Sequence, residues 1–317
     1  MKAIQLTSFG GPEVLQYIDV ETPTPGPGES LIKVSAIGIN YADTHQTENS
    51  YLSPQTLPLI PGLEIVGTTE SGTRVLAPVS GGYAQYGIAS TASLMPIPEN
   101  VSDGAALAMM VQGSTAYHLL KTQGHLKSGE SVVIHAAAGG VGVIAIQLAK
   151  LWGGFVIAVV SDPSGAKGEL VKSLGADVVV NAKSENLAAD LLAANHGKPV
   201  DLVLEMVGGK TFEDSLAVLA PFGRLVVFGM ASRVAPRAIT GGELMHGSKS
   251  VSGFWLAHCF GKKELLYDVI LELFGLISSG ALKPIVGATY PLSQARQAHE
   301  AMLSRATVGK IVLDPTE

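Results

Sequence analysis

Cysteine is almost absent from this chain, since Cys259 is the only one among 317 residues. A single cysteine cannot form an intrachain disulfide, which fits a reducing compartment. The opening residues also lack the apolar core of a secretory signal peptide. We therefore expect a cytoplasmic protein.

Charge is scarce as well. Asp, Glu, Lys and Arg make up 15% of the chain, against about 25% in an average soluble protein. The 21 Lys and Arg residues are scattered and the net charge is −6, so no nucleic-acid groove is expected. Residues 132–149 lack acidic residues and lysine but contain glycines and a histidine, which favours a buried strand and helix over a membrane span. The expected partner is a small molecule.

Glycine, in contrast, is abundant, with 37 residues. The predicted secondary structure changes along the chain. At roughly 150 residues per domain, the length predicts two domains. The first part reads as short strands separated by turns, whereas after Gly113 continuous apolar strands alternate with helices. Such alternation predicts a parallel sheet covered on both faces. We predict an α/β fold with a doubly wound Rossmann domain over residues 114–259 and a β-rich domain over residues 1–113 and 260–317.

A glycine motif follows the first strand of the predicted Rossmann domain. Gly139, Gly140, Val141 and Gly142 lie between a strand and a helix. The bare backbone at Gly139 lets a pyrophosphate approach, Gly142 permits close helix packing, and the helix start supplies N–H groups. The motif predicts a dinucleotide site, and a tight turn without a ligand is the alternative.

The identity of the dinucleotide depends on the end of the second strand. Asp162 lies about twenty residues after the motif, where an acidic residue would hold a ribose hydroxyl and favour NAD. Ser161 precedes it and Lys167 follows a turn later, and these two suit a 2′-phosphate. We favour NADPH, with Asp162 keeping NADH as the alternative.

Short motifs spread over nearly the whole length occur in an order and spacing that identify a family. In the β-rich part they are residues 38–43 (GINYAD) and 61–64 (PGLE), and later residues 115–117, 223–225, 253–256 and 309–310. With these motifs the chain resembles the medium-chain dehydrogenase/reductase superfamily, and more closely its zinc-free quinone oxidoreductase branch. The resemblance implies a GroES-like fold for the β-rich domain and a homodimer.

The resemblance also implies further contacts with the cofactor. Thr115 corresponds to a threonine beside the nicotinamide, and two aromatic segments correspond to backbone that passes the carboxamide. A basic residue of the closing segment approaches the cofactor in relatives. The implied residues are Thr115, Phe228, Gly229, Phe254, Trp255 and Lys310.

The chain departs from the zinc-dependent alcohol dehydrogenases at their metal ligands. Asn40 stands where those enzymes have a cysteine, and Leu63 where they have a histidine. No cysteine precedes Thr115, where a third ligand is expected. Because a catalytic zinc needs three protein ligands, we predict an enzyme that works without zinc.

Conjugate reduction needs less charge stabilisation than alcohol oxidation does. Hydride adds to the conjugated system and the negative charge spreads to a distant carbonyl oxygen, which one or two hydrogen-bond donors can stabilise. By resemblance, Asn40 and Tyr41 line the substrate cleft, and Tyr51 corresponds to a tyrosine proposed as a proton donor. We therefore predict NADPH-dependent hydride transfer to a quinone or enone. The alternatives are an NADPH-dependent enoyl-thioester reductase and a non-catalytic NADPH-binding protein.

Overall fold

The computed structural model describes residues 1–50 and 52–317, which form two compact units. Unit 1 comprises Met1–Gln112, Cys259–Gly280 and Pro284–Glu317, and unit 2 comprises Gly113–His258 and Ala281–Lys283. The short return to unit 2 was not predicted. It is held by Gln147, whose amide exchanges hydrogen bonds of 2.8 and 3.1 Å with the Lys283 backbone.

The strands are β1 (Lys2–Gln5), β2 (Gln16–Asp19), β3 (Glu29–Ile39), β4 (Glu64–Thr69), β5 (Arg74–Pro78), β6 (Tyr86–Ser90), β7 (Met95–Pro96), β8 (Ser131–Ile134), β9 (Phe155–Val160), β10 (Val178–Asn181), β11 (Val200–Glu205), β12 (Leu219–Val227), β13 (Ser250–Gly253), β14 (Val286–Pro291) and β15 (Lys310–Asp314). The helices are α1 (Tyr41–Glu48), α2 (Asp103–Ala108), α3 (Ser114–Tyr117), α4 (Gly140–Leu151), α5 (Ala166–Ser173), α6 (Leu187–Ala194), α7 (Gly209–Ala217), α8 (Gly241–Gly247), α9 (Tyr267–Ser278) and α10 (Ala295–Leu303). Met109–Gly113 and His118–Gln123 are π-helical.

Unit 1 is the β-rich, GroES-like unit. Its main sheet has the order β14-β15-β3-β4-β5-β7, with β6 also pairing with β3. The pairs are antiparallel apart from β14 with β15. Apolar side chains from β3, β4, β15 and α10 form its buried core. This packing brings the end of β3, the start of β4 and the start of β15 together.

Unit 2 is the predicted doubly wound unit. Its strands are all parallel in the order β10-β9-β8-β11-β12-β13. The central strands are buried, which explains their continuous apolar sequences. The order reverses between β8 and β11, and open parallel sheets bind ligands at the carboxyl ends of the strands at such a point. No helix of the described residues has both the length and the apolar character needed to cross a membrane.

Helix α1 is an element that the strand pattern of the first part did not predict. It begins directly after Asn40, whose backbone N–H donates a hydrogen bond of 2.9 Å to Asp43 Oδ2. The helix has little apolar periodicity, and its buried residues are polar: Asp43, Thr44, His45 and Thr47. It is therefore stabilised by its cap and its buried hydrogen bonds, which periodicity alone does not reveal.

Candidate functional site

The glycine turn joins the carboxyl end of β8 to α4. Ala136 in this turn has a left-handed φ of 49°, and its carbonyl accepts a hydrogen bond of 2.8 Å from the Gly139 N–H. Gly139 is the N-cap of α4 and offers no side chain to the first N–H groups of the helix. Those groups and the helix dipole therefore favour an anion at this end.

The glycines of the turn have different roles. A Cβ at Gly142 would lie 2.5 Å from the carbonyl oxygen of Ala137, so close packing requires glycine there. A Cβ at Gly139 would meet one carbonyl oxygen at 3.1 Å, and Gly140 and Val141 are half-buried. The turn therefore fits the pyrophosphate of a dinucleotide, with bare backbone and N–H donors at the helix start.

The second strand of unit 2 ends beside the residues that bear on cofactor identity. Ser161 follows β9 directly and is half-buried, Asp162 is exposed, and Lys167 lies half-buried in the first turn of α5. The Asp162 carboxylate packs over the start of α5, because a Cβ at Gly165 would lie 2.1 Å from its Oδ2. This junction therefore contains both an acidic residue, which suits a ribose hydroxyl, and a lysine, which suits a 2′-phosphate, and their contacts with a cofactor stay predictions.

Two pairs of predicted cofactor residues follow β12 and β13 respectively: Phe228 with Gly229, and Phe254 with Trp255. In a parallel sheet these positions lie at the same carboxyl edge as the glycine turn. The Phe254 ring lies tilted against the His118 imidazole, with the centroids 5.5 Å apart. His118 follows α3, which contains the buried Thr115. The predicted residues of unit 2 are thus concentrated at one edge, and their contacts with a cofactor stay a prediction.

Glu205 lies at this edge and was missed by the sequence analysis. It is the last residue of β11 and is completely buried. Its Oε1 accepts hydrogen bonds from the N–H groups of Val207 at 2.7 Å and Gly208 at 2.9 Å, and its Oε2 has no partner among the described residues. Burial raises the pKa of the Glu205 carboxyl, against the effect of the two N–H donors. The signal in the sequence was an acidic residue that ends an apolar strand.

In unit 1, a completely buried ion pair joins Lys310 to Glu64. The ammonium also donates to Asn40 Oδ1 at 3.1 Å and to the carbonyl of Ile39 at 3.1 Å. Asn40 Nδ2 in turn donates to Glu64 Oε1 at 2.6 Å. The second carboxylate oxygen accepts from the Val111 N–H at 3.1 Å. Both charges are therefore compensated within the unit.

Lys310 has a clear structural role in this cluster. The three hydrogens of its ammonium are taken by Ile39, Asn40 and Glu64. Lys310 orients the Asn40 amide, since Oδ1 must face the ammonium and Nδ2 the carboxylate. The contact of Lys310 with the cofactor, which the resemblance implies, stays a prediction. Asn40 is only 3% exposed, and one hydrogen of its amide nitrogen is not used by this cluster.

A series of buried hydrogen bonds begins at the backbone N–H of Asn40 and continues through Asp43 and Tyr83 to His299. The Tyr83 hydroxyl donates to Asp43 Oδ2 at 2.8 Å and lies 3.0 Å from His299 Nε2. Burial lowers the pKa of His299 to about 4, so the ring is neutral near pH 7. Since Tyr83 has one hydrogen, His299 donates Nε2–H to its oxygen. His299 Nδ1 and Asp43 Oδ1 are buried without a partner in the described chain.

Of the two predicted catalytic tyrosines, the structure describes only Tyr41. Tyr41 is the first residue of α1 and is half-buried, with its ring edge-on to the His45 imidazole at a centroid distance of 5.8 Å. Tyr51 lies outside the described residues. Tyr41 directly follows Asn40 in the sequence. The catalytic roles of both tyrosines stay predictions.

The residues around Asn40 do not fit a zinc ion. An amide and the alkyl side chain of Leu63 replace two of the expected ligands, and the nearby carboxylate of Glu64 is paired with an ammonium. Zinc in proteins is held by thiolates, imidazoles and carboxylates. Within residues 1–50 and 52–317, no group of three His, Cys, Asp or Glu side chains is arranged to hold a metal.

Two protein families match the chain, one for each fold type. Residues 26–99 match the alcohol dehydrogenase GroES-like domain, and residues 140–273 match the zinc-binding dehydrogenase family. A GroES-like unit together with a Rossmann unit carrying the glycine turn defines a medium-chain dehydrogenase/reductase.

Curated and solved relatives narrow this class. The chain is 35% identical to a quinone oxidoreductase of Pseudomonas aeruginosa, over 99% of both chains. It is 32% identical to the rat quinone oxidoreductase, over 99% of this chain and 97% of the other. The Escherichia coli quinone oxidoreductase, solved in complex with NADPH, has a TM-score of 0.91 at 34% identity, covering 99% of this chain and 100% of that one. The quinone oxidoreductase of Thermus thermophilus, also solved with NADPH, has a TM-score of 0.87 at 36% identity with the same coverage. The chain belongs to the quinone oxidoreductase branch of the superfamily, as the sequence motifs predicted.

Removal of the buried ammonium should strongly destabilise unit 1. In Lys310→Met the Glu64 carboxylate stays buried without its counter-charge, so we expect a loss of about 3–5 kcal/mol in the free energy of unfolding. Urea unfolding measures this loss. The double variant Glu64→Gln/Lys310→Met should recover part of it, and Lys33→Met, on an exposed lysine of β3, should change stability by no more than about 0.5 kcal/mol. Equal stability of Lys310→Met and wild type would refute the buried pair.

Buried titratable groups also set the pH dependence of stability. Burial lowers the pKa of His135 and of His299 to about 4 from 6.5, and raises the pKa of Asp43 from 3.8 to about 7. Between these limits the unfolded chain binds two histidine protons that the fold lacks, while the fold keeps one aspartate proton that the unfolded chain has lost. For these three groups the unfolded state has a net excess of one proton, which makes stability rise with pH, and the raised pKa of Glu205 acts against this rise.

We expect His299 to contribute about 1.4 kcal/mol per pH unit to the slope of stability between about pH 5 and pH 6. The slope of His299→Gln, measured by urea unfolding, should therefore lie below that of wild type by this amount. The control His246→Gln, on an exposed histidine of α8, should keep the wild-type slope. Equal slopes for His299→Gln and wild type would contradict the assignment.

Proposed function

We propose that the protein is an NADPH-dependent quinone oxidoreductase that works without zinc and transfers hydride to a quinone or an enone. The observation that carries the proposal is the buried Lys310–Glu64 pair, which fixes Asn40 at the position where zinc-dependent relatives have a metal ligand. The full-length similarity to quinone oxidoreductases, two of them solved with NADPH, supports the same activity.

Unit 2 supplies the proposed cofactor site. The pyrophosphate would lie on the glycine turn at Gly139 and the start of α4, and the adenosine ribose and its phosphate beside Ser161 and Lys167. The residues after β12 and β13 would hold the nicotinamide end. When bound, NADPH supplies the hydride.

The residues of unit 1 would stabilise the charge that develops on the acceptor. Hydride addition to a conjugated carbonyl places negative charge on its oxygen, and one positioned donor is typically worth a few kcal/mol. Asn40 can donate its remaining amide hydrogen to that oxygen without rotating, because Lys310 and Glu64 hold the rest of the amide. Tyr41 or Tyr51 would then supply the proton that completes the reduction.

We also propose a cytoplasmic homodimer. Within the described chain β13 pairs only with β12 and forms one edge of the parallel sheet. An open edge can pair with a second copy of the chain around a twofold axis. The single cysteine, Cys259, is buried, which fits a reducing compartment.

The Asn40 donor gives the test of the proposal. Asn40→Ala should lower kcat/KM for 1,4-benzoquinone with NADPH by about 100-fold, since removal of one oxyanion donor costs about that much. The control Asn100→Ala changes an exposed asparagine of unit 1 and should keep wild-type turnover.

The same assay on the wild type compares NADPH with NADH as the cofactor and quinone with crotonyl thioester as the substrate. Preference for NADPH assigns the phosphate to Lys167, and preference for NADH would give the ribose to Asp162 and contradict this part of the proposal. Faster turnover of crotonyl thioester than of quinone would favour the enoyl-thioester reductase. NADPH binding without turnover of either would favour the non-catalytic protein.

A further inference from the structure

We propose that Glu205 is a positioning residue for the nicotinamide end of the cofactor, acting through the turn of residues 206–208 and the segment of residues 228–234. The inference rests on the proposed function, because it assumes that a dinucleotide binds at the carboxyl edge of the parallel sheet. Neither the glycine turn nor the junction after β9 involves this residue.

Glu205 lies on a central strand of the parallel sheet. It ends β11, next to the point where the strand order reverses. Leu204 pairs in register with Ile134 at the end of β8, and Glu205 pairs with Val227 at the end of β12. Strand β11, which ends at Glu205, therefore lies between β8, which leads into the glycine turn, and β12, which leads into the predicted nicotinamide segment.

The Glu205 carboxylate is hydrogen-bonded to the turn that follows the strand. Oε1 accepts both the Val207 and the Gly208 N–H, at 2.7 and 2.9 Å. A carboxylate suits two convergent donors better than a neutral acceptor does. Gly208 has a φ of 84°, and a Cβ there would lie 2.6 Å from the carbonyl oxygen of Val234, so the turn has one tightly defined conformation.

The turn of residues 206–208 contacts the segment that follows β12. Backbone hydrogen bonds run from Ala231 N–H to the carbonyl of Met206 at 2.8 Å and from Ser232 N–H to that of Val207 at 2.9 Å. The carbonyl of Glu205 itself accepts from the Phe228 N–H at 3.0 Å. A Cβ at Gly229 would lie 3.2 Å from Met206 Cβ, so the two segments are closely packed.

A substitution at Glu205 should therefore disturb the nicotinamide end of the cofactor site and leave the adenosine end unchanged. Without Oε1, two buried N–H groups lose their acceptor, and such groups are costly to leave unpaired. The turn would relax and carry residues 228–234 with it. Ser161 and Lys167 follow β9, which lies on the other side of β8 in the sheet, so the adenosine end keeps its support.

The experiment compares two probes, NADP⁺ and 2′,5′-ADP, the latter being the adenosine half of the cofactor with its phosphate. Equilibrium binding is measured by calorimetry on the full chain. Glu205→Ala should raise the Kd of NADP⁺ by about tenfold or more and that of 2′,5′-ADP by less than about twofold. Glu205→Gln keeps a side-chain oxygen that can accept, and should bind NADP⁺ within about threefold of wild type. Should the alanine variant fail to fold, Glu205→Asp, which withdraws the oxygens by one methylene, takes its place.

Asp201→Ala is the matched control. Asp201 lies near the amino end of the same strand, and its carboxylate likewise accepts two hydrogen bonds, from Ser131 N and Oγ, each at 2.8 Å. Its loss should lower stability but leave the Kd ratio of the two probes unchanged.

Three results would count against the account, and they are distinguishable. Equal weakening of both probes in Glu205→Ala would show a general structural role, and unchanged NADP⁺ binding would show no role, so either overturns the inference. A wild type that binds neither probe would instead overturn the proposed function.

Discussion

The buried ion pair between Lys310 and Glu64 is the interaction on which unit 1 depends. Taking two charges out of water costs several kcal/mol for each ion, and only close geometry with further hydrogen bonds offsets that cost. The pair therefore requires β15, β4 and the end of β3 to keep their register. Ile311 pairs with Ile39, and Ile37 pairs with Ile65, which places the ammonium, the carboxylate and the Asn40 amide together.

The same pair carries our proposal that this dehydrogenase fold reduces a quinone or an enone without a metal. In a zinc enzyme the metal holds and stabilises an alkoxide. Here a fixed ammonium is already neutralised by its carboxylate and by one end of the Asn40 amide. In the proposed mechanism the remaining amide hydrogen of Asn40 is a single oriented donor, which suits charge spread over a quinone better than the localised charge of an alkoxide. Unit 2 contributes a rigid strand edge, on which Glu205 and the glycine turn fix the local backbone.

Much of this architecture could be predicted from the sequence, because local patterns report burial and period. The continuous apolar strands of unit 2 predicted a parallel sheet, and the motif at Gly139 predicted a strand–turn–helix, both of which the structure contains. The buried partners could not be predicted in the same way. Lys310 lies 246 positions from Glu64, and Tyr83 lies 216 positions from His299. A lysine near the end of the chain looks like an exposed cation until the pairing of β15 with β3 buries it. Glu205 was missed for a related reason, since only the fold of the following turn shows that two N–H groups converge on it.

The proposed mechanism draws its charge stabilisation from a side-chain cluster and not from a metal. The most direct test is turnover of NADPH with 1,4-benzoquinone by protein dialysed against a strong chelator, with bound metal counted by mass spectrometry. The account predicts undiminished turnover at far less than one metal ion per chain, and no gain when zinc is added back. Loss of turnover on chelation with recovery on addition of zinc would contradict it.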